Sequence, residues 1–511
     1  MVFQQRRWIV FLLVILGLIS LCHGKRELSP SLSMVYGPGL NLEVVLPVRY
    51  FYVQAVDTKG KNYTRSIGNK ALTVKIQADR QPRVWKDVLD RNDGSYIVRM
   101  RFYETYKNVE ISVMYNGKHV AKSPYKLKGL LYHERCDCPE NDEQRWLSEM
   151  KCPQSYAQIS RDLSPFPQID LTKMKEDAIR EFGTHHALCH YSVVHNKVYR
   201  KCYGQHVGFS IFMDAWLFSL IRKVKLPDLE FFSNLGDWPL SERKKPPIPI
   251  LSWCGSDETF DIVMPTYDLT ESALEALGRV SLDMLSVQGN TGPKWKGKIE
   301  KGFFRGRDSR QERLDLTVMG REKTGLFDVG MTNFFFFEYD EKKYGPKNQH
   351  VSFFDFFKYK YQLNIDGTVA AYRFPYLLAG DSVVFKQDSH YYEHFYHDLQ
   401  SMVHYIPFKR DLSDLEEKIK WAKSHDKEAR KIAMAGQTYA RDHLMTDQLF
   451  CYSFTLFKEL SSRYVQRPKV HVEQEHIEMP GEQEGKCQCD RKKKKKKSKK
   501  KWKSEMDHTE L

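Results

Sequence analysis

Three clusters combine residue types that can do chemistry. The first is Asn234-Leu235-Gly236-Asp237-Trp238-Pro239, which follows an apolar run over residues 229–235. A strand there would hold Asp237 at its carboxyl end, where open α/β sheets bind ligands. A carboxylate beside an aromatic ring can take a proton from a hydroxyl nucleophile; the plainer role for Asp237 is to cap the following turn. In the second, Phe303-Phe304-Arg305-Gly306-Arg307-Asp308-Ser309-Arg310-Gln311-Glu312-Arg313, four arginines fall within nine residues of a strand end. Their planar guanidiniums suit a diphosphate, which they can contact bidentately; a solvated charge cluster is the alternative. The third cluster, residues 358–386, reads as strand, Asp366-Gly367 turn, short helix and strand. Pro375 is tolerated in the first turn of a helix and not in its interior, so a helix is expected from about Tyr372. Residues 367–371 then form a loop feeding that helix, with Arg373 beside it. Free backbone N–H groups, a helix dipole and a guanidinium make an anion site, most naturally for phosphate. Taken alone, the stretch also reads as an ordinary β-turn-α unit.

The elements around these clusters fall into blocks. Residues 25–130 alternate apolar and polar positions in short runs at 42–48, 50–56, 72–76, 96–102 and 109–115. Turn signals separate them at residues 57–60, 92–94 and 116–117. That pattern predicts a β-sandwich. Tyr36-Gly37-Pro38-Gly39-Leu40, Asp93-Gly94-Ser95-Tyr96 and Ser123-Pro124-Tyr125 resemble the filamin-type immunoglobulin-like repeat. A cysteine- and proline-bearing connector follows over residues 131–167. Residues 168–297 read as a first α/β half: a helix at 169–182, a hairpin, a buried helix at 208–222, strands at 229–235 and 250–254, and a helix at 271–279. A second half, residues 298–465, opens with a strand at 299–304 and a helix at 311–319. It continues through residues 358–386 to helices at 412–424 and 426–443. Two alternating blocks predict two doubly wound halves with a cleft between them. From residue 466 the composition argues for a disordered, lysine-rich tail.

The formal net charge of +15 is concentrated at the two ends, in Arg6, Arg7 and the basic run at 491–503. The body is nearly neutral, so nucleic-acid binding is not implied. Residues 1–24 read as a secretory signal peptide, with Arg6 and Arg7 ahead of an apolar core at 8–21 that is too short to span a bilayer. No later segment is apolar enough to span. His508, Thr509, Glu510 and Leu511 match a variant of the endoplasmic-reticulum retrieval tetrapeptide, which together with the leader implies the lumen. Removal of Cys22 leaves nine cysteines in an oxidising compartment, so at least one thiol stays unpaired. Cys189 and Cys202 would face each other across a hairpin with its tip at His195-Asn196. Cys136, Cys138, Cys152 and Cys451 could form two more bridges. The Cys136-x-Cys138 and Cys487-x-Cys489 pairs lack zinc-ribbon spacing, so no metal site is expected. Asn62-Tyr63-Thr64 is the N-glycosylation sequon.

Taken together, the markers resemble the protein O-glucosyltransferases, within the wider family of capsule-associated and lipopolysaccharide-modifying glycosyltransferases. They are Asn-x-x-Asp-Trp-Pro at 234–239, Phe-Arg-Gly at 304–306 with Glu312-Arg313, Tyr359-Lys360-Tyr361 with Asn364, Val369-Ala370-Ala371-Tyr372-Arg373-Phe374 and Val403-His404-Tyr405-Ile406-Pro407. The filamin-like module and retrieval signal point to the endoplasmic-reticulum subgroup named for its KDEL-type motif. The resemblance implies a GT-B pair of Rossmann-like halves, a UDP-glucose donor, and as acceptor a serine of a folded EGF-like repeat in secreted and cell-surface proteins, glucosylated with inversion. It implies Asp237 as catalytic base. Arg305, Arg307 and Arg313 would meet the donor, as would Thr368, Val369, Ala370, Ala371, Tyr372 and Arg373, which fall on the segment wrapping the diphosphate. Arg307 stands where better-known members have serine, and Thr368 and Ala371 stand for valine and serine. The chain contains no Asp-x-Asp, the usual holder of a donor-bound metal, so metal independence and no cofactor are expected. A retrieval receptor is the implied partner of the C-terminus. The competing readings are the same fold using UDP-xylose or another UDP-sugar, and a non-catalytic luminal chaperone or cargo binder. A third, a nucleic-acid binder acting through the lysine run, would require nuclear rather than luminal protein.

Overall fold

The computed structural model describes residues 26–478 together with Cys487 and Cys489. The expected signal peptide, the lysine run and the expected retrieval tetrapeptide lie outside the described residues.

The N-terminal module is a two-sheet all-β sandwich. One sheet has Met34–Tyr36, Arg49–Gln54, Ser95–Phe102 and Val84–Asp90 in that order; the other builds on Tyr106–Tyr115, flanked by Leu72–Gln77, Lys118–His119 and Tyr125–Leu131. Phe51, Val53, Tyr96, Val98, Val109 and Ile111 close its core. Two expectations change here. Residues 42–48 are not a strand; Val44, Leu46 and Val48 pack instead into the core of the following domain. Val84–Asp90, outside the apolar runs, is a strand although its central residues are charged: it pairs along its length with Ser95–Phe102, with Val84 and Val88 on the sandwich core and Leu89 on the core of the following domain. Asn62 is exposed and available to a modifying enzyme.

The connector carries two short helices, Glu143–Met150 and Ala157–Leu163, where only a linker was expected. Asp142 caps the first by accepting the Arg145 N–H.

The first α/β half is a six-stranded mixed sheet rather than a doubly wound parallel one. Ile262–Val263, Ile250–Ser252 and Leu229–Asn234 run parallel, whereas Leu188–Val194, Lys197–Tyr203 and Glu475–His476 add antiparallel. The hairpin turns at His195 and Asn196, with φ of 52° and 63°, the left-handed pair a two-residue turn requires. It sets Cys189 opposite Cys202, and they are bonded. Glu475–His476 comes from a stretch expected to be disordered. That stretch is held because His471 donates to the buried Glu230 carboxylate at 2.7 Å and Ser192 Oγ donates to Lys469 O at 2.9 Å.

The second half is a five-stranded all-parallel sheet in the order Phe327–Asn333, Ile299–Arg307, Tyr359–Asn364, Val383–Gln387, Ile406–Phe408. The order in which the strands are laid down reverses between the second and third of these, which creates a switch point where ligands bind in such sheets. The helix Asp426–His443 matches its expected bounds, and Leu415–Ser424 starts three residues late. Thr446–Ser461, in the span assigned to the second half, crosses back onto the first. There Phe450 stacks on Trp216 at 4.4 Å, and Cys451 is bonded to Cys152. Cys136 and Cys138 pair with Cys487 and Cys489, not with Cys152 or Cys451, which corrects the expectation of two bridges among Cys136, Cys138, Cys152 and Cys451. Cys254 is the free, buried thiol.

Candidate active site

The carboxyl ends of the parallel strands of both sheets open onto one cleft of about 510 Å³. From the first half come Asp237, after Leu229–Asn234, and Tyr267 and Asp268, after Ile262–Val263. From the second come Arg305, Arg307 and Arg313 with the segment Thr368, Val369, Ala370, Ala371, Tyr372 and Arg373. All ten residues singled out in the sequence line this cleft, though they span 137 positions of chain.

Asp237 sits on a loop that Asn234 organises. Asn234 Oδ1 accepts the Gly236 N–H at 3.0 Å, and its Nδ2 donates to Trp238 O at 2.7 Å and Ser252 Oγ at 3.1 Å. Asn234 therefore does the capping, and the Asp237 carboxylate accepts no hydrogen bond from any described residue. Burial raises its pKa and the Arg307 charge opposes that rise. An unengaged carboxylate of raised pKa beside an open volume is suited to accept a proton.

The four arginines of residues 305–313 divide by where their donors go. Arg305 is ion-paired to Asp328 and donates to Phe304 O and Asp328 O. Arg310 clamps the wrapping segment, Nε to Gly367 O at 2.7 Å and Nη2 to Thr368 O at 3.1 Å. Arg313 is 5 % exposed and donates to Asp366 O at 2.8 Å, Arg307 O at 3.0 Å, Ser309 Oγ at 3.1 Å and Ile365 O at 3.2 Å. It ties the end of one strand to the loop after the next. Burial pulls its pKa down to about 9, aided by the Arg373 charge. Arg307 is the exception: it is exposed, lies over the Phe335 ring at 5.6 Å, and pairs with no carboxylate among the described residues.

Arg373 supplies the other uncommitted cation. Its Nη1 donates to Arg305 O at 2.7 Å; its other N–H groups bond to no described residue. Burial pulls its pKa to about 10, against the pull of Asp268. The helix beside it runs Phe374–Ala379, beginning two residues later than expected and only six residues long. So short a helix has little dipole to offer, and the guanidiniums carry the positive character of this wall. Val369 and Ala370 turn away from solvent and pack on Cys254.

Asp268 and Tyr267 were not foreseen as part of the site, and Arg310 was foreseen as a diphosphate contact, not as a clamp. Burial raises Asp268 to about 6, with Glu271 adding to the rise and Arg373 opposing it. The Tyr267 and Tyr372 rings meet edge to face at 5.7 Å. No motif marks the first two in the sequence. Arg310 stood inside the arginine cluster, but only its contacts reveal a clamp.

Comparison with known proteins shows the family. The model of "Glycosyl transferase family 90" matches residues 147–510, and that of the "Filamin/ABP280 repeat" matches residues 27–126. The chain is 58% identical over 467 residues to "Protein O-glucosyltransferase 2" of Danio rerio, covering 91% of this chain and 93% of that one. It is 50% identical to "Protein O-glucosyltransferase 3" of Homo sapiens, covering 90% and 92%. To "Protein O-glucosyltransferase 1" of Homo sapiens it is 30% identical over 325 residues, covering 61% and 81%.

Proposed function

The chain belongs to glycosyl transferase family 90, and from that premise we propose that it is an inverting protein O-glucosyltransferase, moving glucose from UDP-glucose to a serine hydroxyl of a folded EGF-like repeat. The observation that carries this reading is an unengaged carboxylate, Asp237, across one cleft from two uncommitted guanidiniums, those of Arg307 and Arg373. We read the two sheets and their shared cleft as a GT-B architecture. Asp237 takes the serine proton as the serine oxygen attacks the anomeric carbon. The bond from that carbon to the diphosphate breaks with inversion, and UDP leaves. A positioned base contributes roughly 10²–10⁴-fold, and fixed positive charge aimed at the leaving group often contributes more. Arg307 and Arg373 face the diphosphate, while Arg305, Arg310 and Arg313 hold the walls in place. With that charge built in, the reaction needs no metal or other cofactor, and chelator should leave the rate unchanged.

The four disulfides support an oxidising compartment, and no described helix is long and apolar enough to cross a membrane. We place the protein in the endoplasmic-reticulum lumen, kept there by a receptor for its last four residues. The test offers purified protein a folded EGF-like repeat with competing UDP-sugars and reads products by mass spectrometry. Glucose on serine is expected. Brisk transfer of xylose or another sugar, with none of glucose, would reject the donor; no transfer of any sugar would reject the enzyme reading.

A further inference from the structure

Beside the cleft the chain displays aromatic rings that nothing in its own fold explains. Asn333-Phe334-Phe335-Phe336-Phe337 follows the strand Phe327–Asn333; Phe335 is 64% exposed and Phe336 is 60% exposed. Exposed rings on a soft loop would be unremarked, but this loop is fixed. Asp308, with no exposed surface, accepts the backbone N–H groups of Phe335, Phe336 and Phe337, each at 2.8 Å. Three charge-assisted bonds from one buried carboxylate are a strong constraint, and they hold the rings outward.

The patch is continuous with the cleft. Phe335 lies under Arg307, which lines it. Val351, 39% exposed, lines it too. Trp238, 56% exposed, follows Asp237 directly. A polypeptide whose hydroxyl reaches Asp237 enters the cleft that Arg307 and Val351 line. Rigid, exposed aromatics around a reaction centre have the character of binding hot spots.

We propose that Phe335 and Phe336, held out by Asp308, form a docking surface for the protein acceptor, engaging apolar side chains that a small disulfide-bonded domain leaves on its surface. Such domains have too little core to bury all their apolar residues. Phe335 and Phe336 are docking residues and touch no reacting atom. The proposal rests on the glycosyltransferase reading, and the test separates the two. Full-length protein carrying Phe336→Ala, and separately Phe336→Asp, is assayed for transfer to a folded EGF-like repeat and for hydrolysis of UDP-glucose without acceptor. A photo-crosslinking residue at position 336 identifies what the patch touches.

The acceptor KM should rise at least ~10-fold in both variants, with hydrolysis unchanged and the acceptor captured from position 336. Wild-type transfer with an unaltered acceptor KM in both variants would overturn docking alone. Capture of a second copy of this chain would also overturn it, in favour of a self-interface. Failure of wild type to transfer any sugar would overturn the glycosyltransferase reading, and the assignment of the patch to an acceptor with it.

Discussion

Replacing Arg313 separates two roles that a site arginine can play. If it met the donor directly, Arg313→Met would weaken donor binding and leave folding alone. Its contacts predict otherwise. Four hydrogen bonds run from this buried cation to Asp366 O, Arg307 O, Ser309 Oγ and Ile365 O. Bonds from a charged group contribute about 1.5–3 kcal/mol each. Against them stands the cost of burying the cation beside Arg373, Arg307 and Arg310, expressed in a pKa pulled down to about 9 and on the order of 5 kcal/mol. The bonds outweigh that cost, and methionine leaves the acceptors unsatisfied, so Arg313→Met should destabilise the protein by on the order of 4 kcal/mol. Equilibrium urea unfolding reads this as a lower midpoint at unchanged slope. Arg313→Lys should recover only part of the loss, because a single ammonium cannot reach acceptors spread around a planar fork. Arg307→Met, at an exposed position, should stay within about 0.5 kcal/mol of wild type while slowing transfer. An Arg313→Met protein as stable as wild type, deficient only in donor affinity, would refute the clamp.

Two further outcomes follow from the site and the bridges. Asp237 must be ionised to accept a proton, and burial raises its pKa. Activity is therefore present above that pKa and lost as pH falls through it, at a higher pH than an ordinary aspartate would give. The Arg307 charge restrains the rise, so Arg307→Ser should move the acid limb of kcat/KM to still higher pH; an unmoved limb would remove Arg307 from the electrostatics of the base. Non-reducing peptide mapping should recover Cys136–Cys487, Cys138–Cys489, Cys152–Cys451 and Cys189–Cys202 with Cys254 alkylated. A Cys136 or Cys138 peptide joined to Cys152 would contradict the packing of the connector.

Local features were legible where the local physics is strong. The Cys189–Cys202 bridge was readable because a two-residue turn at His195-Asn196 dictates the register of both strands. Asp426–His443 was readable because one face packs on the core and the other meets water, which writes a helical period into the sequence. Thr446–Ser461 was not, since apolar residues surround much of it and blur the period. Its return to the first half rests on contacts such as Trp216 with Phe450, hundreds of positions apart. Cys136 and Cys138 find their partners 351 residues away, a distance at which spacing carries no information. The site divides in the same way. The arginine cluster and Asp237 were visible as residue types, but type does not tell where a guanidinium points. Arg305 and Arg313 spend their donors within the fold, leaving Arg307 and Arg373 free. Asp268 entered unannounced because its role depends only on which residues the two halves bring opposite it.

The central claim is that Asp237 is the base that activates the acceptor. Asp237→Asn preserves shape and removes the proton acceptor, and no hydrogen bond among the described residues depends on the lost charge. Its transfer rate to a folded EGF-like repeat, under saturating UDP-glucose, tests the account most directly. A fall of roughly 10²–10⁴-fold, with UDP binding and unfolding midpoint unchanged, is the predicted result. Transfer at the wild-type rate by a folded Asp237→Asn protein would contradict it.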